Sequence, residues 1–250
     1  MDIQKAIKKM KKIKASGYGK ITTEGIKAGG ETMVKVLYQI FNTIWKTEKT
    51  PEDFCKMIVS PIHKKGDKLV RENYRAISLL SVPGKVFLQI LLDKMKEKVD
   101  HKLKESQYGF RSGRGTVDAI FIVRQIIEKA KEKNVPLYFH FIDFKAAFDT
   151  VWRTALWKML LEIGIDRKIV NILKYMYDNT QCTVMIDGRI TKWFPVLVGV
   201  RQGCILSPTL FNIFLEFVMD ELRSLNNFYL HEDMSADVIY ADDTTLISVI

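Results

Sequence analysis

Three aspartates stand where a carboxylate needs a reason to be. Asp143 ends the apolar run Leu137-Tyr138-Phe139-His140-Phe141-Ile142, where a charge survives only at an exposed end or beside a cation. Asp242 and Asp243 are adjacent, between the short apolar segments Val238–Tyr240 and Thr244–Ile247, an arrangement that reads as a hairpin turn. Neighbours on a straight strand point to opposite faces, but a turn rotates the chain between them, so both can approach one site. Three converging carboxylates repel one another, and the oxygen-preferring Mg²⁺ ion is the usual compensation. Two such ions about 3.5–4 Å apart activate a 3′-hydroxyl and stabilise a leaving pyrophosphate in an in-line displacement. Taken alone, an Asp-Asp pair at a turn is more often plain turn chemistry.

The elements that would carry these residues are legible from periodicity. Leu137–Asp143 is an apolar strand, followed by a helix from about Thr150 to Ile163 and another, capped by Asp166, running to Tyr177. Cys182–Ile186 and the Asp187-Gly188 dipeptide predict a hairpin with a tight turn. Ser207-Pro208 is a cap followed by a first-turn proline, and it starts a helix through Leu210, Phe211, Phe214, Phe217 and Val218.

Upstream, Met57–His63 and Asn73–Leu80 read as two strands around the charged tip Lys64-Lys65-Gly66-Asp67-Lys68. Helices are predicted over Lys85–Lys102 and Thr116–Lys133. Another contains Met33, Val36, Leu37, Ile40, Phe41, Ile44 and Trp45 and is closed by Pro51, and Met1–Lys14 forms a basic amphipathic helix. Mixed helices and mostly antiparallel strands give an α+β fold.

Bulk properties bound the possibilities. The chain has 250 residues, 47% of them hydrophobic, which suits one sizeable core or two subdomains sharing an interface. No apolar run approaches the roughly 18 residues that span a bilayer, and Met1-Asp2-Ile3-Gln4 lacks the apolar core of a signal peptide. Cys55, Cys182 and Cys204 form no CxxC pair, which argues against a disulfide framework or zinc site. The net charge of +10 suits a polyanionic partner and equally suits ordinary solubility.

The order of five motifs is more specific. Phe141-Ile142-Asp143-Phe144-Lys145-Ala146-Ala147-Phe148-Asp149 resembles the first catalytic motif of reverse transcriptases, and Tyr240-Ala241-Asp242-Asp243 their second carboxylate motif. Between them, Gly199-Val200-Arg201-Gln202-Gly203-Cys204-Ile205-Leu206-Ser207-Pro208-Thr209-Leu210-Phe211-Asn212 resembles the nucleotide-and-template motif of the non-long-terminal-repeat, LINE-type class. Asn73-Tyr74-Arg75-Ala76-Ile77-Ser78-Leu79-Leu80 and Gln107-Tyr108-Gly109-Phe110-Arg111 resemble two fingers motifs of that class.

The resemblance implies part of a right-hand polymerase: an amino-terminal extension and fingers, with some palm helix, over residues 1–136, and over 137–250 a palm, incomplete at its carboxy end, whose antiparallel sheet packs on helices. It implies an RNA-directed DNA polymerase that takes an RNA template, a DNA primer and dNTPs, with two Mg²⁺ ions for which Mn²⁺ can substitute. Asp143 and Asp242 would ligate both ions, with Asp243 assisting and the Phe144 carbonyl completing a shell. Phe148 matches the family's steric gate against a 2′-hydroxyl; its alternative is a core phenylalanine. Gln202 and Gly203 would lie against the incoming nucleotide, with Lys64, Lys65 and Arg75 on its triphosphate. Arg111, Arg114, Tyr240 and Ala241 would face template or primer. Asp149 reads as a helix cap and stays outside this set.

Some features depart from the family's pattern. Ala76 replaces a usual proline, and Lys14–Ile21 follows the family's amino-terminal loop only loosely. Few residues follow the Tyr-Ala-Asp-Asp turn, so the thumb, later palm motifs and an endonuclease region are expected in a longer parent protein. The competing expectation is a catalytically inactive nucleic-acid-binding remnant. An RNA-dependent RNA polymerase is disfavoured by Phe148 and by Tyr-Ala-Asp-Asp in place of Gly-Asp-Asp. The resemblance implies an intracellular setting, nucleus or cytoplasm, without fixing which.

Overall fold

The computed structural model describes residues 2–226, 229–231, 234–235 and 237–249. It opens with α1 (Asp2–Lys9), α2 (Thr23–Ala28), α3 (Gly30–Thr47) and α4 (Glu52–Cys55). The predicted amino-terminal helix is shorter than its periodicity suggested: Ile13 lies in the left-handed region and is 94% exposed, so it leaves the apolar stripe. The left-handed Glu48 ends α3, and Pro51 starts α4, where its fixed φ suits a helix entry.

Strands β1 (Lys56–His63) and β2 (Tyr74–Leu80) form the expected antiparallel hairpin around the lysine tip. Then follow α5 (Val82–Lys102), capped by Ser81, and α6 (Thr116–Glu132). Next come β3 (Leu137–Asp143), α7 (Arg153–Glu162) and α8 (Arg167–Asp178), whose first turn is capped by the Asp166 carboxylate 2.7 Å from the Lys168 N–H. Strands β4 (Gln181–Ile186) and β5 (Arg189–Ile190) are joined by left-handed Asp187 and Gly188, as a tight hairpin turn requires. β6 (Phe194–Pro195), α9 (Ser207–Asn226), the small hairpin β7 (Tyr229–His231) with β8 (Met234–Ser235), β9 (Asp237–Tyr240) and β10 (Asp243–Val249) complete the order.

The α+β expectation holds, but one pairing was not foreseen. β4 runs parallel to β1, Lys56 opposite Gln181, so the first sheet has the order β2-β1-β4-β5 with β6 also on β4. Strands from both halves of the chain therefore share one sheet. The main core is continuous from α1 through α5, α7 and α8 to α9 and includes Leu91, Met95, Leu156, Leu160, Ile172, Leu173 and Leu210.

The second sheet has the order β3-β10-β9, all antiparallel. Because side chains alternate, Asp143, Phe141 and Phe139 share a face with Asp243, Thr245 and Ile247, and with Tyr240 and Val238. Away from the hairpin turn that face is covered by α6, through Ala119 and Ile126 against Val238 and Ile247. The opposite face sends Ile142, Ile239 and Leu246 into the main core. No described helix is long and apolar enough to cross a membrane.

Candidate active site

The two catalytic-motif strands meet in one register. Asp143 on β3 lies directly opposite Asp243 on β10, and Asp243 in turn pairs with Tyr240 across a two-residue loop, Ala241-Asp242. Cross-strand partners have Cβ atoms about 4.5–5.5 Å apart and project to the same side. Both carboxylates are exposed, while Asp242 is half-buried in the turn. Thus Asp243, rather than Asp242, is the strand partner of Asp143. Among the described residues no three or more His, Cys, Asp or Glu side chains gather closely enough to hold a metal ion. Asp143 and Asp243 nonetheless offer hard oxygen donors at one sheet end, the donor type Mg²⁺ requires.

The turn itself is strained and supported from behind. Ala241 is left-handed, with φ 60°, an unfavourable state for a residue with a Cβ. Residues 106–108 run alongside β9: Ile239 N–H donates to the Ser106 carbonyl at 2.9 Å and Tyr108 N–H to the Ile239 carbonyl at 2.8 Å. A cavity of about 590 Å³ lies between α6 and the sheet; Tyr240, Asp243 and Thr245 line one side of it.

Phe148 stacks on Phe211 of α9 at 4.8 Å between ring centroids and meets Phe110 edge-on at 6.2 Å. It is half-buried against the main core, so it is neither a fully enclosed core ring nor a free one. The neighbouring loop is stitched to it: Val200 N–H donates to the Phe148 carbonyl at 2.7 Å. Left-handed Gly199 abuts Asp149, where a Cβ would lie 2.5 Å from the Asp149 carbonyl oxygen. Gln202 Nε2 donates to the Asp149 carboxylate at 2.9 Å. This corrects the reading of Asp149 as a helix cap. The cap residue of α7 is Trp152, which makes no side-chain cap, and the Asp149 carboxylate is turned toward Gln202 instead. Partial burial raises the Asp149 pKa, and the Gln202 amide opposes that rise.

The same loop is anchored to β2. Ser78 N–H donates to the Gln202 carbonyl at 3.3 Å, and Gly203, φ 87°, leaves only 3.1 Å between an added Cβ and the Ser78 carbonyl oxygen. Lys64 and Lys65 are exposed at the β1–β2 tip, with the Lys64 N–H donating to the Asn73 carbonyl. Arg75 is a residue of β2, but its side chain lies outside the described part of the structure.

Arg111 and Arg114 have protein partners. Arg111 donates to the Lys104 carbonyl at 2.6 Å, and Arg114 donates to the Glu105 carbonyl at 2.6 Å and also pairs with the Glu105 carboxylate. In this geometry both guanidinium groups hold carbonyls of their own loop.

Several residues that shape the site escaped the sequence. Arg223 on α9 is buried with Glu216 and Asp237, and Ser106 donates to Asp237 at 2.9 Å. Burial opposes the Arg223 charge, but hydrogen bonds to Asp237 and Glu216 outweigh it and raise its pKa. Arg153 and Arg201 are buried with carbonyl acceptors: Arg153 on Gly199, Tyr177, Val196 and Val198, and Arg201 on Phe54 and Met176. Both guanidinium groups lie over the ring of Tyr177, whose pKa burial pushes up to about 12. The only available signal was a charged residue within an otherwise apolar helical period, as at Glu216 and Arg223.

Comparison with known proteins gives a consistent result. Residues 62–249 match the family described as Reverse transcriptase (RNA-dependent DNA polymerase). The chain is 27% identical over 250 residues to the Transposon TX1 uncharacterized 149 kDa protein of Xenopus laevis, covering 99% of this chain and 19% of that protein. It is 24% identical over 250 residues to the RNA-directed DNA polymerase from mobile element jockey of Drosophila melanogaster, covering 99% of this chain and 27% of that one. It therefore spans only a minor part of either relative. Among solved structures, telomerase from Candida albicans, in complex with a TWJ fragment of telomeric RNA, superposes with a TM-score of 0.58 at 13% identity. That match covers 87% of this chain and 42% of the telomerase, and it establishes a shared fold.

Proposed function

Since this chain belongs to the reverse transcriptase (RNA-dependent DNA polymerase) family, with relatives among non-long-terminal-repeat retrotransposons, we propose that it carries the polymerase site of such an element. The observation that carries the reading is the register placing Asp143 opposite Asp243, one residue beyond the Ala241-Asp242 loop. Two strands far apart in sequence are paired so that their carboxylates meet at an exposed sheet end, at the positions of the family's two carboxylate motifs.

The site would extend a DNA primer on an RNA template. Asp143, Asp242 and Asp243, with the Phe144 carbonyl, would hold two Mg²⁺ ions. When bound, such ions activate the primer 3′-hydroxyl and stabilise the leaving pyrophosphate. Phe148, backed by Phe211, would stand against the sugar and exclude a 2′-hydroxyl, since a ring braced on a helix cannot yield. The Gln202–Gly203 loop would lie against the nucleotide, its carboxamide oriented by Asp149, with Lys64, Lys65 and Arg75 on the triphosphate. Residues 1–136 would be mainly fingers and 137–250 palm, with β4 bridging to the fingers sheet.

A second reading, a nucleic-acid-binding remnant without turnover, is supported by the net charge of +10, which suits a polyanion whether or not the site turns over. The deciding experiment is RNA-templated addition of one deoxynucleotide to a DNA primer in Mg²⁺, with the chain and with Asp143→Asn. Addition by the former and its loss in the latter is expected. Salt-sensitive nucleic-acid binding in both, with addition in neither, would establish the second reading.

A further inference from the structure

The Ala241-Asp242 turn is closed by the Tyr240–Asp243 strand pair and is also gripped by a clamp built from two distant segments. Gln107, 1% exposed, turns its Oε1 to accept from two backbone N–H groups, that of Gly109 at 2.8 Å and that of Ala241 at 3.4 Å. Gly109 lies flat on the turn: a Cβ there would be 2.1 Å from the Ala241 nitrogen and 2.7 Å from its Cα. On the far side Asn212, 1% exposed on α9, donates from Nδ2 to the Gly109 carbonyl at 2.8 Å. A left-handed alanine is unfavourable unless its surroundings over-determine it, and these three residues add to the hairpin pairing that does so.

We propose that Gln107, Gly109 and Asn212 are positioning residues that fix the Asp242-Asp243 turn, so that the carboxylates keep the geometry needed for divalent cations. Their reach matters. Asn212 lies one residue from Phe211, on which Phe148 stacks, and Gly109 precedes Phe110, which meets Phe148 edge-on. The clamp thus links the carboxylate turn mechanically to the aromatic cluster proposed to read the sugar. Gly109 acts by having no side chain, Gln107 by accepting two N–H groups at once, and Asn212 by holding the Gly109 carbonyl. The inference rests on the proposed metal role of the carboxylates only for its effect on cations, not for its effect on the turn.

The test uses the 250-residue chain with Gln107→Met and Asn212→Leu, which keep volume and remove the hydrogen bonds, and Gly109→Ala, which drives a methyl into the turn. Backbone hydrogen exchange is read at residues 239–244 and at α7–α8, together with Mn²⁺ binding by electron paramagnetic resonance. Exchange at the turn should accelerate on the order of tenfold or more while α7–α8 stays as in the parent, the pattern of local rather than global loosening. Mn²⁺ affinity should fall several-fold. Unchanged exchange at the turn, or equal acceleration across the chain, overturns the clamp. Faster turn exchange with undiminished Mn²⁺ binding overturns its link to the carboxylates. A parent chain that binds no Mn²⁺ counts against the proposed polymerase site, while turn exchange still decides whether the clamp exists.

Discussion

Placing two carboxylates in register opposite one another is unfavourable for a protein that binds nothing between them, and this gives a measurable inversion. Replace Asp243 by Asn. Like charges directly opposite on antiparallel strands destabilise by about 0.2–1 kcal/mol. For a chain of this size about 1 kcal/mol corresponds to about 2–4 °C in Tm. Asp243→Asn should therefore raise Tm by about 0.5–4 °C in chelator at low salt, with the gain shrinking as salt screens the pair. With a divalent cation the order reverses. A site filled at a hundred times its Kd stabilises the parent by about 2.7 kcal/mol, roughly 5–11 °C, and a variant that has lost a ligand gains much less. The assay is thermal unfolding of both proteins with EDTA and then across a Mg²⁺ or Mn²⁺ titration. A variant less stable than the parent in EDTA, or one with the same metal response, would refute the claim that Asp143 and Asp243 face each other across a cation site.

Phe148→Val should lower the dNTP-to-rNTP ratio of kcat/KM in an active polypeptide containing this chain, because the clash with the 2′-hydroxyl is removed; a constant ratio with a falling Tm would make Phe148 a packing residue only. Arg223→Met leaves Glu216 and Asp237 buried without their guanidinium, so urea unfolding should show a loss of about 3–5 kcal/mol. For Asp149 the sign follows from its raised pKa: the folded protein holds the proton more tightly than the unfolded chain, so its contribution favours folding at low pH and is lost as pH rises through the raised value. Asp149→Asn should flatten that slope when Tm is followed upward from about pH 3.5, near the ordinary aspartate range, and an unchanged slope would show that Asp149 does not carry it.

Local features were the legible ones. The Asp166 cap, the Asp187-Gly188 turn and the β3 limits are each dictated by a few adjacent residues, and they appear where the spacing puts them. The five motifs likewise located the candidate site, because the order of those residues along the chain is itself the signal. What could not be read was anything depending on distant partners. Asp149 looks like a cap from its neighbours alone; only the approach of the 199–203 loop turns its carboxylate to Gln202. Gln107 and Asn212 carry no local mark of their role at the turn, since the Ala241 N–H and the Gly109 carbonyl they reach lie about a hundred residues away or more.

The parallel pairing of β1 with β4 has a consequence for how such a chain is made. Lys56 finds Gln181 roughly 125 residues later, which at about 5–20 residues per second of synthesis means a delay of roughly 6–25 seconds. Through that interval the β1 edge that β4 later covers, including Met57 and Val59, stays open. Open strand edges recruit other strands, including those of neighbouring nascent chains. The hairpin's run of lysines at Lys64, Lys65 and Lys68, at its tip, supplies like-charge repulsion between two such intermediates. Neutralising those lysines should therefore reduce the yield of soluble protein during synthesis far more than it changes the stability of the finished fold.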